Sequence, residues 1–397
     1  MITGRDIIIV GQQPWDVEIG SNCKNIALEF SKHNRVLYVN AALDRVSLFK
    51  GSTDPKVIKR KRVIEHKEVG LIQISERLWN LYPDTIVESI NWIKFHALFK
   101  FLNRINNQRF AKSIMQAVDA LGFSNFILFN DNDMFRSFHL KELLKPQLSI
   151  YYSRDYMLAV DYWKRHGEQL EPQLIADSDI CVANSTYLAD YCRQYNPHSY
   201  YVGQGCELDL FMAYEQQSLP FDMQHIPGIK IGYVGALIGL RLDIALLIDI
   251  AKAKPSWSMV LVGPEDELFK SSELHQLSNV YFLGSKNPAL LPEYIGAFDI
   301  CLNPQVLSPV TIGNYPRKID EYLAMGKPVV ATSTPFMEAV FCEHTYLANN
   351  TAGYLQLIEK AINENDVSKA NARKAFAASH TWENSVSEIY KAIEKHI

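Results

Sequence analysis

Apolar residues in this chain fall into short continuous runs separated by longer mixed segments. In the first half the runs are 6–10 (DIIIV), 35–40 (RVLYVN), 126–130 (FILFN) and 149–153 (SIYYS). In the second they are 230–234 (KIGYV), 259–262, 280–283, 299–302 and 329–332. Continuous rather than alternating hydrophobicity, rich in β-branched residues, marks strands buried on both faces. The segments between them have helical length, as over 21–33, so each half reads as a βαβ series around a parallel sheet. Between the halves, 218–228 holds Pro220, Pro227 and few helix formers and is expected to be a linker. It divides a first domain over 1–217 from a second over 229–380. The tail, 381–397, carries an amphipathic helix.

Composition fits this division. A chain of 397 residues is too long for one ordinary core. No apolar run approaches the roughly 18 residues that cross a bilayer, and the chain enters a strand almost at once without a signal-peptide pattern. A cytoplasmic protein is therefore expected. The six cysteines are scattered with no C-x-x-C pair, which predicts reduced thiols rather than disulfides or zinc. The formal charge of −4 is unevenly spread. Residues 55–62 read PKVIKRKR, and 92–112 carry five Lys or Arg and no acid, interleaved with Trp92, Phe95, Phe99 and Phe101. Such a helix either lies in the headgroup region of an anionic membrane, with Lys94, Lys100 and Arg104 toward the lipid charge, or packs its apolar stripe on the sheet. Nucleic acid is a poorer partner, since the basic residues are local and the whole chain is slightly acidic.

The densest chemistry lies at 311–333, TIGNYPRKIDEYLAMGKPVVATS. Pro316 sits where a first helical turn tolerates it, 317–325 keep helical spacing, and Gly326 stops the helix before a buried strand. Lys318 and Glu321, three apart, share one helix face beside the unpaired N–H groups of the first turn, near Asn314 and Tyr315. A cation and a helix N-terminus suit a phosphate, and a carboxylate one turn on suits vicinal ribose hydroxyls. A plain surface Lys–Glu pair has the same spacing, and the context decides against it. The pattern P-x-K-x-x-E-Y-L-A-x-G-K-P-V-V-A-T resembles the nucleotide-sugar signature of GT-B fold glycosyltransferases, especially the retaining family four and related bacterial polysaccharide enzymes. That resemblance implies an α/β protein of two Rossmann-like domains facing a cleft, with the C-terminal helix crossing back to the first. It implies that Glu321 holds the ribose and that the donor's diphosphate is met by cations and helix dipole, with no metal. Many relatives carry a second Glu where this chain has Gly313, so the sugar and the stereochemical course stay open.

Other strand ends contribute candidates. Gly235 and Gly263 each end a strand at the edge where ligands meet such sheets, and Arg241 is the cation of the loop after Gly235. The same glycines also serve as turn residues. In the first half the Gly11–Gly20 loop lies at the corresponding edge. The triplet Asp131-Asn132-Asp133 mimics a D-x-D metal motif, but Asp131 is expected to cap the helix that follows, with Asn130 and Asp131 also within reach of an acceptor. Asp155, after the strand at 149–153, is either a helix cap or the base that takes a proton from an acceptor hydroxyl. Residues 175–211 resemble the end of the first domain in these enzymes, with Gly205 retained and Gln204 in place of asparagine. No G-x-G-x-x-G, P-loop or nucleophile elbow is present.

The expected function is transfer of a hexose from a nucleotide diphosphate donor, a UDP-sugar foremost, to a glycan or lipid-linked acceptor in surface polysaccharide synthesis. A nucleotide-sugar epimerase of the same fold, or a non-catalytic nucleotide-sugar-binding scaffold, are the alternatives. The catalytic candidates are Asp155, Lys318 and Arg241. The donor would be bound by Gly235, Gly263, Asn314, Tyr315, Lys318 and Glu321. A peripheral position at the inner face of the plasma membrane follows if the basic aromatic helix meets lipid.

Overall fold

The computed structural model describes residues 2–16, 21–50, 53–215, 218–309 and 311–397, so part of the expected Gly11–Gly20 loop lies outside the described residues. The chain forms two units, Met1–Gly205 with Trp382–Ile397, and Cys206–Thr381.

In the first unit an eight-stranded sheet runs in the order Ser199–Tyr201, Ile180–Ala183, Leu148–Ser153, Ile127–Asp131, Asp6–Gly11, Arg35–Val39, Leu78–Leu81, Leu71–Ser75. All neighbours pair in parallel except the last two, an antiparallel hairpin. The strand Asp6–Gly11 explains its own continuous hydrophobicity. Ile7 and Ile9 face Phe30, Phe129 and the C-terminal helix, while Ile8 and Val10 face Phe110 and Ile114 on the other side. The helix Trp382–Glu394 buries Val386, Ile389 and Ile393 in the first of these layers. Its Tyr390 ring lies 5.4 Å from that of Phe30, and the Tyr390 hydroxyl accepts from Asn34 Nδ2 at 2.9 Å. Gly205 is required where this helix begins, because a Cβ there would stand 2.2 Å from the Trp382 ring.

The basic aromatic stretch resolves along its length. The helix His96–Leu121 buries Phe110, Ile114, Ala117 and Val118 against the sheet, as ordinary packing requires. Its beginning does not: Phe99 is buried, yet Trp92, Phe95 and Phe101 are 72%, 71% and 63% exposed. Arg104 pairs with Glu142, whereas Lys94 and Lys100 have no ion pair among the described residues.

In the second unit six parallel strands lie in the order Val280–Gly284, Trp257–Val262, Ile229–Val234, Ile300–Asn303, Val329–Thr332, Tyr346–Ala348. The stretch 218–228 is not a free linker but part of this unit. Met223 and Ile226 are buried, and Asp222 pairs with Lys286 at 2.6 Å and accepts from the Tyr294 hydroxyl. Its prolines signal irregular backbone, which is compatible with tight packing. Among the described residues no helix is long and apolar enough to cross a membrane. The six cysteines are free, Cys342 alone being exposed.

Candidate functional site

Open parallel sheets bind ligands at the carboxyl ends of their strands, in the crevice where strand order reverses. In the second unit the chain runs from Ile229–Val234 outward through two strands and then returns to the other side of Ile229–Val234 as Ile300–Asn303. The crevice between those two strand ends opens on a cavity of about 230 Å³ lined by Tyr233, Arg241, Asn303, Gln305, Asn314 and the residues up to Lys318. Arg241, Arg317 and Lys318 all reach it, its lining contains no acid, and none of the three has an ion pair among the described residues. Asn303 adds a buried amide nitrogen that has no hydrogen-bond partner among the described residues. Three cations and a buried donor, with no acid in the lining, make an anion site.

The helix Arg317–Ala324 carries the key side chains because its opposite face is anchored. Ile319, Tyr322 and Leu323 are buried, and the Tyr322 hydroxyl accepts from the Val234 backbone N–H at 2.9 Å. Among the described residues no side chain caps its first turn. Gly326, at φ +72°, ends it, and Lys327 N–H donates to Tyr322 O across that left-handed turn at 3.0 Å. Lys318 turns back over the strand end, its Nζ 5.3 Å from the Tyr233 ring centre. A Cβ on Gly235 would meet Lys318 Cε at 2.0 Å, so Gly235 makes room for the lysine stem. Gly263 stands one strand further out, where a Cβ would meet the Gly235 carbonyl at 1.9 Å. Both glycines shape the site from behind.

Glu321, one turn after Lys318, is half-buried and has no hydrogen-bond partner among the described residues. Burial raises its pKa, and Lys318 and Arg317 oppose that shift. Tyr315 is committed otherwise: its hydroxyl donates to Asp320 Oδ2 at 2.6 Å and lies 3.0 Å from His380 Nδ1. Asp320, fully buried, also accepts from His380 Nδ1 at 2.6 Å and from the Cys206 thiol at 3.2 Å. This network braces the loop before the helix. Its links to Cys206 and His380 escaped the sequence reading, as did the Arg317 side chain's place in the cavity, because they join residues distant in sequence.

In the first unit the equivalent crevice lies between Asp6–Gly11 and Ile127–Asp131. Asp131 does not cap a helix there. It is fully buried and lies 2.8 Å from Arg154 Nε, and burial pushes its carboxyl up against the pull of Arg154. The turn is capped by Asp133, which accepts from the N–H groups of Phe135 and Arg136. Asp155 is about half exposed, 3.3 Å from Arg154 Nη1, and its N–H donates to Asn132 Oδ1. It lies in the other unit from the remaining candidates.

Two Rossmann-like units, with a cationic crevice at the switch point of the second, are the elements of the GT-B fold. Residues 228–364, within the second unit, match the family model described as Glycosyl transferases group 1. The chain is 31% identical over 205 residues to TuaH of Bacillus subtilis, named as a teichuronic acid biosynthesis glycosyltransferase, a match covering 49% of this chain and 51% of the relative. The chain thus spans about half the length of the relative it matches. Sucrose-phosphate synthase of Thermosynechococcus elongatus superposes with a TM-score of 0.66 at 13% identity over 98% of each chain. HepE of Anabaena, solved with UDP, does so at 0.63 and 14% identity over 98% of this chain and 100% of its own.

Proposed function

We propose that the protein transfers a hexose from a UDP-sugar to a glycan or lipid-linked acceptor in surface polysaccharide synthesis. The observation that carries the reading is the acid-free cavity with Arg241, Arg317 and Lys318 beside the carboxyl of Glu321, which has no hydrogen-bond partner among the described residues. In this reading the cations and Asn303 Nδ2 stabilise the departing diphosphate, so its charge is met by the protein rather than by a metal, and Glu321 accepts from the ribose hydroxyls. The UDP and UDP-glucose complexes of HepE and the biosynthetic role named for TuaH support it. Asp155 in the first unit is the candidate base for the acceptor hydroxyl, its half-exposed carboxylate held by Arg154. The exposed Trp92, Phe95 and Phe101 with Lys94 and Lys100 support a peripheral position on an anionic membrane at its cytoplasmic face.

Titration calorimetry with UDP and UMP tests the donor site. Lys318→Ala is expected to weaken UDP by about 1.5–3 kcal/mol, as for a lost charged hydrogen bond, and UMP far less. Equal losses for both would remove the lysine from the diphosphate. Asp155→Asn should leave UDP affinity intact while turnover falls about 10²–10⁴-fold. Near-normal turnover, with retained configuration at the product's anomeric carbon by NMR, excludes the base role.

A further inference from the structure

A second cavity, of about 600 Å³, lies wholly within the first unit. Its walls follow the carboxyl ends of three strands: Ala42 after Arg35–Val39, Phe135 after Ile127–Asp131, and Tyr162 after Leu148–Ser153. It therefore opens at the ligand edge of this sheet, and its volume suits a small organic ligand. The floor is apolar, built from the buried Ala42, Val87, Ile90, Phe99 and Phe135. At the mouth stand Trp92 and Tyr162, more than half exposed. The apolar surface continues outward along both segments that form the rim, with Phe49 on the helix Arg45–Lys50 and Phe95 after Trp92 both over 70% exposed. Large exposed aromatics around an apolar hollow are a cost in water unless something apolar covers them.

The charges at the same mouth favour an anion. Two acids line the cavity, and both are engaged elsewhere. Asp44 accepts from the Ser89 and Ser47 hydroxyls, and Glu88 is held bidentately by Arg45 and again by Arg109, which lowers its pKa to about 2. Arg165 gives one N–H to the Asn91 carbonyl at 3.2 Å and has no ion pair among the described residues. Lys94 and Lys100 are exposed nearby in the chain. Finally, the Asn91 side-chain oxygen, on the cavity wall, is buried without a hydrogen-bond partner among the described residues. It calls for a donor such as a hydroxyl.

We propose that this cavity binds an amphiphile, a hydrocarbon chain ending in a phosphate that bears a sugar, drawn from a membrane surface. The chain lies on the apolar floor and rim, Arg165 meets the phosphate, and Asn91 accepts from a sugar hydroxyl. The assignment of this molecule as the acceptor rests on the transferase reading above, while its binding does not. The test uses dodecyl phosphate below its micellar concentration, with inorganic phosphate and maltose as comparison probes, titrated into the full chain. Dodecyl phosphate should bind at least 100-fold more tightly than either. The double variant Trp92→Ser, Tyr162→Ser should weaken it at least 10-fold with unchanged thermal melting and unchanged UDP affinity, both side chains being largely exposed. Arg165→Gln should weaken dodecyl phosphate and leave dodecyl maltoside unaffected. Maltose binding as tightly as dodecyl phosphate would make this a glycan site, and dodecyl phosphate affinity indifferent to the double variant would place the lipid elsewhere; either result overturns the proposal. A wild-type protein that binds dodecyl phosphate but no UDP would instead sink the transferase reading and leave the cavity's ligand standing.

Discussion

The two units present the same crevice in opposite electrostatic states. In the second, among the described residues, the switch point holds Arg241, Arg317 and Lys318 without ion pairs and Glu321 without a hydrogen-bond partner. In the first, the position is filled from within: Arg154 lies between the buried Asp131 and the more exposed Asp155. An edge of a parallel sheet is thus only an opportunity for binding. Whether it is open depends on whether the protein's own side chains already satisfy the charges gathered there.

The sharpest way to break this contrast is to empty the filled crevice. Asp131→Ala leaves Arg154, itself nearly buried, without its closest partner, and should destabilise the first unit by about 3–5 kcal/mol in urea denaturation. The paired change Asp131→Leu, Arg154→Met should recover most of that loss, since the penalty belongs to the orphaned charge. A single variant as stable as the wild type would show that the pair is not the filling it appears by geometry. Next in size is Gly235→Ala in the second unit. Its Cβ would collide with Lys318 Cε, so the lysine must leave its place. UDP affinity should fall by about the 1.5–3 kcal/mol expected for Lys318→Ala, and adding Gly235→Ala to Lys318→Ala should cost little more. Additive losses in calorimetry would mean that the glycine serves the ligand directly.

The smallest effect concerns Glu321, and it sharpens the claim that the open crevice is held at a cost. Burial raises its carboxyl pKa in the folded protein. A raised value gives stability that is fully present below the unfolded carboxyl's pKa and is lost as pH rises through the folded one. At pH 7 this carboxyl, without a hydrogen-bond partner among the described residues, is therefore a burden on the unliganded protein. Glu321→Gln should raise its melting temperature by about 2 °C at pH 7, with the gain vanishing near pH 4, and should weaken UDP binding. A lowered melting temperature at pH 7 would show that the carboxylate has a stabilising partner.

The strands that build both crevices were legible because burial on both faces leaves an unbroken apolar run, and that signal is local. The hairpin Leu71–Ser75 with Leu78–Leu81 was not, since its outer strand lies at the sheet edge with Gln73, Ile74 and Ser75 exposed and so shows no buried run. In the same way the sequence by itself determined the helix Arg317–Ala324, its stop at Gly326, and the placing of Lys318 and Glu321 one turn apart, because helical period and a left-handed cap are properties of adjacent residues. Tertiary structure alone decided which charges are spent. It paired Arg154 with Asp131, turned the Tyr315 hydroxyl to Asp320 and His380, brought Arg317 and Asn303 into one cavity with Arg241, and left Asn91 facing an apolar hollow. Those outcomes depend on distances between residues far apart in the chain, and the electrostatic energy of a side chain is set by such distances and by burial rather than by its neighbours in sequence.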